Sequence, residues 1–207
     1  MEVLKKLLCV IICLLAMVQA RAQSEAALQR AYKSSYAEEA KKNYTEAIND
    51  IKPFYSDGDY ESNLRLGWLY FLSKNYTASE NYYAKAVRIK PNSIEAKFGY
   101  IKPLSLLASW DKVLAQYASI LKIDPQNTQA NYWAGIIFYN RKQYDAASKY
   151  FLKVVSLYPF DYDGNQMLGW AYLMAGNKAS ARTYFEQALI IKPDDTSCLD
   201  GLTKARN

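Results

Sequence analysis

The side chains that could perform acid–base, nucleophilic or metal chemistry are few in this sequence. The 207 residues include no histidine, which excludes Ser-His-Asp and Cys-His catalysis and every histidine-based metal site. Two of the three cysteines, Cys9 and Cys13, lie in an apolar run at the N-terminus. Adjacent carboxylates such as Asp194 and Asp195 fall in turns, where they can cap helices, and no base lies beside them. We therefore predict no enzyme activity, no catalytic residue, no metal site and no cofactor.

The chemistry that remains is recognition by aromatic groups, and these groups recur at a fixed spacing. The chain contains 19 tyrosines, 7 phenylalanines and 4 tryptophans. A unit of 34 residues at 60–93 is repeated, with variation, through the rest of the chain. Four prolines mark the period, at positions 91, 125, 159 and 193. A period of this length indicates stacked helical hairpins, each of which buries its apolar face against its neighbours.

The residues inside the unit resemble the tetratricopeptide repeat family. Leu66-Gly67 is followed by Tyr70, and later by Ser79 and Tyr83, which resembles the family pattern L-G-x2-Y and then A-x3-F before the proline. The resemblance implies an all-α fold, a right-handed α-solenoid of about five helix-turn-helix repeats with a C-terminal capping helix. Because Gly67 has no side chain, we predict that the second helix of the pair approaches it closely at Ser79.

The repeat period divides the chain into segments. We predict a signal peptide at 1–22, a degenerate first repeat at 23–59, repeats at 60–93, 94–127, 128–161 and 162–195, and a capping helix at 196–207. The repeat at 94–127 departs from the pattern, because Ile101 replaces the glycine and Val113 replaces the small residue opposite. Pro103 lies inside its first helix and predicts a kink there. This bend is either tolerated variation or a feature that shapes a binding groove.

The N-terminus has the features of an export signal. Lys5 and Lys6 precede an apolar run of twelve residues, Leu7–Val18, and a small-residue cleavage site follows. A membrane span needs about 20 apolar residues, so we expect cleavage and no membrane span afterwards, with a retained anchor as the alternative. The sequence therefore predicts an exported protein, periplasmic or secreted. Its net charge of +6 is not concentrated in a basic stripe, so we expect no nucleic-acid partner.

The resemblance also implies that the first helices of the pairs line a concave groove. The predicted groove residues are Leu64, Arg65, Trp68 and Phe71 in the second repeat, Phe98 and Lys102 in the third, Tyr132, Trp133, Ile136, Tyr139 and Asn140 in the fourth, and Gln166, Met167 and Trp170 in the fifth. Exposed aromatic and thioether groups often mark a binding face. The alternative is that the three tryptophans pack against neighbouring helices of the chain. The Lys and Asn residues with which chaperone-binding members hold a C-terminal carboxylate are absent here, so we do not predict that ligand.

A row of amides recurs near the start of the first helices. Asn63, Asn131 and Asn165 occupy one position of the repeat, and Lys97 takes it in the third. Such side chains either satisfy nearby backbone groups or hydrogen-bond to an extended bound peptide.

The sequence as a whole predicts a non-enzymatic scaffold or adaptor for protein–protein interaction. We expect a peptide segment or helix of a partner protein to bind in the aromatic groove, with Arg65, Lys102, Asn140 and Gln166 orienting it. One alternative is binding of carbohydrate, such as a cell-wall glycan, because indole and phenol rings stack on sugars. Self-association through the same groove is a third possibility.

Overall fold

The structure is a computed structural model that describes residues 23–206, so the predicted signal peptide lies outside the described residues. Every regular element in this range is helical, and no strand occurs within it. None of these helices is both long enough and apolar enough to cross a membrane.

The helices follow one another with short turns. Residues 23–40 form the first helix, α1. The others are α2 (Tyr44–Ile51), α3 (Tyr60–Leu72), α4 (Tyr76–Ile89), α5 (Ile94–Leu106), α6 (Trp110–Ile123), α7 (Thr128–Asn140), α8 (Tyr144–Leu157), α9 (Tyr162–Met174), α10 (Lys178–Ile191) and α11 (Thr196–Arg206). Pro53 lies in a short 3₁₀ turn that ends α2. Pro103 lies in the last turn of α5, which stays helical through it and ends at Leu106.

The chain folds as two compact units. The first contains the described residues up to Pro91, with α1 to α4, and the second begins at Asn92 and contains α5 to α11. In the first unit, the core is formed by Ala47, Ile48, Ile51, Leu66 and Leu69. In the second unit, aliphatic and aromatic side chains form three clusters, built around Ile120, Phe151 and Phe185.

Side-chain caps set where the first helix of each pair begins. Asp59 accepts a hydrogen bond from the backbone N–H of Ser62, at 2.8 Å. The same contact is made by Ser93, Asn127 and Asp161 to the residue three positions later. Each such cap contributes about 1 kcal/mol to the stability of its helix. The helices α3, α5, α7, α9 and α11 thus start 34 residues apart, at the positions where capping residues recur.

The glycine of the repeat lets the two helices of a pair touch. Ser79 Oγ donates a hydrogen bond of 2.7 Å to the carbonyl oxygen of Gly67, which confirms the close approach predicted there. A β-carbon at Gly67 would lie 2.9 Å from the ring of Tyr83. The corresponding distances are 2.7 Å from Gly135 to Phe151 and 2.8 Å from Gly169 to Phe185. An aromatic ring therefore fills the place that a side chain would take.

The recurrent asparagines hold the turn that precedes their helix. Asn63 Nδ2 donates to the carbonyl oxygen of Asp59 at 2.7 Å, and Asn131 and Asn165 make the equivalent bond at 2.9 and 2.7 Å. All three side chains are buried. Of the two interpretations of this row, the structure favours bonding to the chain's own backbone. Lys97 is buried at the same position of the third repeat, where desolvation lowers its pKa.

Candidate binding groove

The second unit contains a groove of about 850 Å³ between α5, α6 and α7. The groove is lined by Phe98, Ile101, Lys102, Ser105, Trp110, Val113, Tyr117, Gln129, Trp133, Ile136, Ile137, Asn140 and Arg141.

The groove lies at the repeat that departs from the family pattern. In the pairs α7/α8 and α9/α10, glycine sits opposite a buried phenylalanine ring. In the pair α5/α6 the glycine is replaced by Ile101 and the small residue by Val113, and both side chains are buried. Branched side chains at the closest contact keep two helices apart. Accordingly, α5 and α6 are in contact over fewer residues than α7 and α8 or α9 and α10. Space is left beside Tyr117, the residue equivalent to the fully buried Phe151.

A second aromatic contact of the repeat is also missing at this place. In the pairs α3/α4, α7/α8 and α9/α10 the two helices carry stacked rings, Tyr70 on Tyr82, Phe138 on Tyr150 and Tyr172 on Tyr184, with centroids 5.2 to 5.7 Å apart. In the third repeat these positions hold Leu104 and Gln116. The Oε1 atom of Gln116 is buried and has no hydrogen-bond partner. The pair α5/α6 therefore lacks both the contact of glycine with a ring and the stacked ring pair that hold α3/α4, α7/α8 and α9/α10 together.

Two half-exposed indole rings belong to the lining of the groove. The exposed fractions of Trp110 and Trp133 are 48% and 46%, which leaves about half of each side chain open to a ligand. The lining also includes Phe98, whose ring meets the ring of Tyr117 edge-on at 6.5 Å. Burial raises the pKa of Tyr117 to about 12, so its hydroxyl group stays neutral at physiological pH. The site thus offers aromatic surface without a buried charge.

The charges at the groove are cationic. Lys102 and Arg141 are the charged residues of the lining, which contains no carboxylate. Arg141 Nη2 lies 2.7 Å from Asp111 Oδ1, and both side chains are exposed. Exposed ion pairs contribute about 0–1 kcal/mol, so a ligand carboxylate can compete with Asp111 for the guanidinium group. Near one end, Gln129 also borders a smaller cavity of about 210 Å³, where Asp161 and Asp163 lie.

The structure brings together five of the predicted groove residues, namely Phe98, Lys102, Trp133, Ile136 and Asn140. Two others of the fourth repeat pack within the unit: Tyr132 lies edge-on to Phe151, and Tyr139 edge-on to Tyr144. The lining also includes residues that the prediction missed, Ile101, Ser105, Trp110, Val113, Tyr117, Gln129, Ile137 and Arg141. The available signal was the departure of the third repeat from the family pattern at Ile101 and Val113, which both line the groove.

The predicted residues of the second repeat are engaged inside the first unit. Arg65 is buried, donates to Ser35 Oγ at 2.9 Å and to the carboxylate of Glu39, and lies 3.9 Å over the ring of Tyr36. Trp68 Nε1 donates to Glu39 Oε1 at 2.7 Å. This differs from the predicted role of Arg65 in orienting a ligand, because α1 supplies the carboxylate that pairs with it. Alongside them, Leu64 and Phe71 are half-buried, and Phe71 stacks on Trp68.

The predicted residues of the fifth repeat are engaged within the second unit. Trp170 Nε1 donates to Ser197 Oγ at 3.0 Å, and its ring meets Phe185 edge-on at 5.2 Å. Gln166 Nε2 donates to the hydroxyl oxygen of Tyr162 at 2.8 Å, and Met167 packs in the core cluster around Phe151. Of the two interpretations of Trp170, the structure favours packing against the chain's own helices.

Comparison with known proteins places these features in a family. Models described as tetratricopeptide repeat match residues 60–93, 107–162 and 163–195, which together make up more than half of the chain. No curated protein sequence is significantly similar to the chain.

Several solved structures share the fold at low sequence identity. A tetratricopeptide repeat protein from Parabacteroides merdae ATCC 43184 superposes with a TM-score of 0.73 at 17% identity, over 86% of this chain and 72% of that one. YrrB, a tetratricopeptide repeat protein with an unusual peptide-binding site, gives 0.72 at 16% identity, over 91% and 98%. The MamA protein gives 0.69 at 19% identity, over 81% and 92%. These likenesses confirm the all-α solenoid class, and with the matched repeats they show that the chain belongs to the tetratricopeptide repeat family.

Proposed function

We propose that this chain is a non-enzymatic protein–protein interaction scaffold that binds a peptide segment of a partner protein in the groove between α5, α6 and α7. The observation that carries the proposal is the pair of half-exposed indoles, Trp110 and Trp133, in a groove of about 850 Å³. Buried aromatic anchors supply most of the energy in protein–protein recognition. The volume is within the range of about 300–1,000 Å³ typical of ligand sites.

The lining suggests how a segment would be held. An apolar side chain of the partner would enter between the two indoles and contact Phe98 and Ile136, while the amides of Gln129 and Asn140 offer hydrogen bonds to its backbone. The peptide-binding site recorded for YrrB supports this kind of ligand for the fold, although the two sequences share only 16% identity. A peptide is therefore the ligand that the shape and the polar groups of the groove favour.

Carbohydrate is the alternative ligand, because the same exposed indole faces can stack on sugar rings. The two ligand classes are separated by titrating the full chain with oligosaccharides while its tryptophan fluorescence is recorded. A saturable change would favour the sugar, whereas peptide binding predicts no response.

We also propose that the protein works outside the cytoplasm, in the periplasm or the surrounding medium, on the strength of the signal-like features of residues 1–22. Fractionation of the native cells, with mass spectrometry of the N-terminus of the mature protein, tests this. A mature chain that begins near Gln23 in the exported fraction is expected, and a full-length cytoplasmic chain would contradict it.

The groove itself is tested with peptides selected against the full chain from a displayed random library. For the tightest binder, Trp133→Ala should weaken the affinity tenfold or more, because the variant removes half of the aromatic wall. The matched control is Leu152→Ala, which removes a side chain of 37% exposure that does not line the groove. Unchanged affinity in Trp133→Ala, or an equal loss in Leu152→Ala, would count against the groove.

A second variant tests the groove by closing it. Ile101→Gly with Val113→Ala restores the residue types of the other repeats, so the two helices should approach and binding should fall at least as much as in Trp133→Ala. Far-ultraviolet circular dichroism must show retained helix. Full binding by a folded double variant would contradict the claim that the branched pair creates the site.

A further inference from the structure

Four consecutive apolar residues are exposed where α8 ends and the turn to α9 follows. Leu157, Tyr158, Pro159 and Phe160 are consecutive and all exposed, with Tyr158 at 60% and Phe160 at 70%. An uninterrupted run of this kind costs solubility and is unusual on a protein surface unless it binds something.

The repeat itself shows that Phe160 is not needed for folding. The positions equivalent to Phe160 in the other three turns hold Asn92, Gln126 and Asp194, and the helices on either side of those turns form equally well. The aromatic residue is therefore specific to this turn.

The turn and the groove are complementary in charge as well as in polarity. Asp161 follows Phe160 and caps α9, and Asp163, two residues further on, is exposed. The lining of the groove combines aromatic rings with Lys102 and Arg141, and the exposed ion pair of Arg141 with Asp111 is one that a docking carboxylate can replace. A segment in which an aromatic anchor precedes acidic groups therefore matches both the walls and the rim of the groove.

From this match we infer that the α8–α9 turn of one copy of this chain docks in the groove of a second copy. Phe160 would enter between Trp110 and Trp133, and the exposed carboxylate of Asp163 would face Lys102 and Arg141. The inference rests on the proposed function, because it fills the same groove. None of these four apolar residues lines that groove in its own chain, so the contact joins two different surfaces, and a pair held by a single turn keeps one free groove and one free turn. Such contacts extend into longer assemblies as the concentration rises.

Sedimentation velocity of the full chain between about 5 and 500 µM tests the inference, a range chosen because a contact through one turn is small and weak. The weight-average mass of the wild type should rise with concentration beyond that of a dimer. Phe160→Ser, which alters only the turn, and Trp133→Ala, which alters only the groove, should each remain monomeric. The matched control Ile190→Ser removes an apolar side chain of 61% exposure on α10 and should assemble like the wild type.

The decisive sample is an equimolar mixture of Phe160→Ser and Trp133→Ala. One variant retains an intact groove and the other an intact turn, so the mixture should form dimers and stop there. A monomeric wild type at the highest concentration, assembly of Phe160→Ser alone, or a mixture without dimers would overturn the inference.

A peptide-binding measurement distinguishes a failure of this inference from a failure of the proposed function. Phe160→Ser should bind the selected peptide as tightly as the wild type, whereas Trp133→Ala should not. If the wild type stays monomeric and Trp133→Ala alone loses peptide affinity, self-association is overturned and the proposed groove function stands. If Trp133→Ala keeps both self-association and peptide affinity, the inference and the proposed function are both overturned.

Discussion

Replacement of Gly169 by leucine is expected to lower the free energy of unfolding of the second unit by about 3 kcal/mol. A β-carbon at this position would already lie 2.8 Å from the ring of Phe185, which is fully buried between α9 and the last helix. The ring has no room to move toward α11, because a β-carbon on Gly201 of that helix would be only 2.3 Å from Cζ of the same ring. The isobutyl group must therefore push α9 and α10 apart, and the contacts of the ring are lost with it.

Urea unfolding followed by circular dichroism measures this effect. The stability of Gly169→Ala should lie between those of Gly169→Leu and the wild type, because alanine gains about 1 kcal/mol of helix propensity but its β-carbon still meets the ring. Gly58→Ala is the control, since nothing lies within 4 Å of the place where its β-carbon would be. That variant should change stability by less than about 0.5 kcal/mol. Equal stability of Gly169→Leu and Gly58→Ala would contradict the close contact between α9 and α10.

Replacement of Glu39 by alanine is expected to destabilise the first unit by about 3 kcal/mol. The side chain of Arg65 is only 5% exposed, and its cation is paired with the Glu39 carboxylate. Truncation leaves the guanidinium group buried with the Ser35 hydroxyl group and the ring of Tyr36 as its remaining contacts, and it also removes the acceptor of the Trp68 indole N–H. An uncompensated buried charge is among the most costly single changes in a protein.

The neighbouring residue provides the matched control for this experiment. Glu38 pairs with Lys41 at 2.7 Å, and the lysine side chain is 61% exposed. Glu38→Ala should therefore cost no more than about 1 kcal/mol. The double variant Glu39→Ala with Arg65→Met removes both charges and should regain part of the loss. A cost for Glu39→Ala equal to that for Glu38→Ala would contradict the buried pair.

The sequence predicted the helices and the close contacts well because both follow from local residue types at a fixed period. A capping residue every 34 positions starts each first helix, and glycine opposite a large ring sets the helix contact. Ile101 and Val113 mark the third repeat as different by residue type alone. Their effect, a groove that includes Trp110 and Tyr117 of α6, depends on how far the two helices are displaced, and residue types do not give that displacement.

Two predicted groove residues, Arg65 and Trp170, are covered by the first and last helices of the chain. The Glu39 carboxylate that holds Arg65 comes from the irregular first repeat, where the 34-residue frame assigns no position. Likewise, Ser197 of the last helix bonds to the Trp170 indole. A residue at a groove position is available to a ligand only if the neighbouring repeat leaves it uncovered. Trp133 meets this condition because it is 46% exposed beside the widened third repeat.

Photo-cross-linking from position 129 tests most directly whether the widened third repeat is the binding site. A benzophenone side chain at Gln129, an exposed residue of the lining, places the reactive group in the groove and keeps both indoles, and the same group at Leu152 places it on a surface outside the groove. With the selected peptide, irradiation should give a covalent adduct from position 129 that excess unlabelled peptide suppresses, and none from position 152. Equal adducts from both positions, or an adduct from position 152 alone, would show that the ligand binds elsewhere.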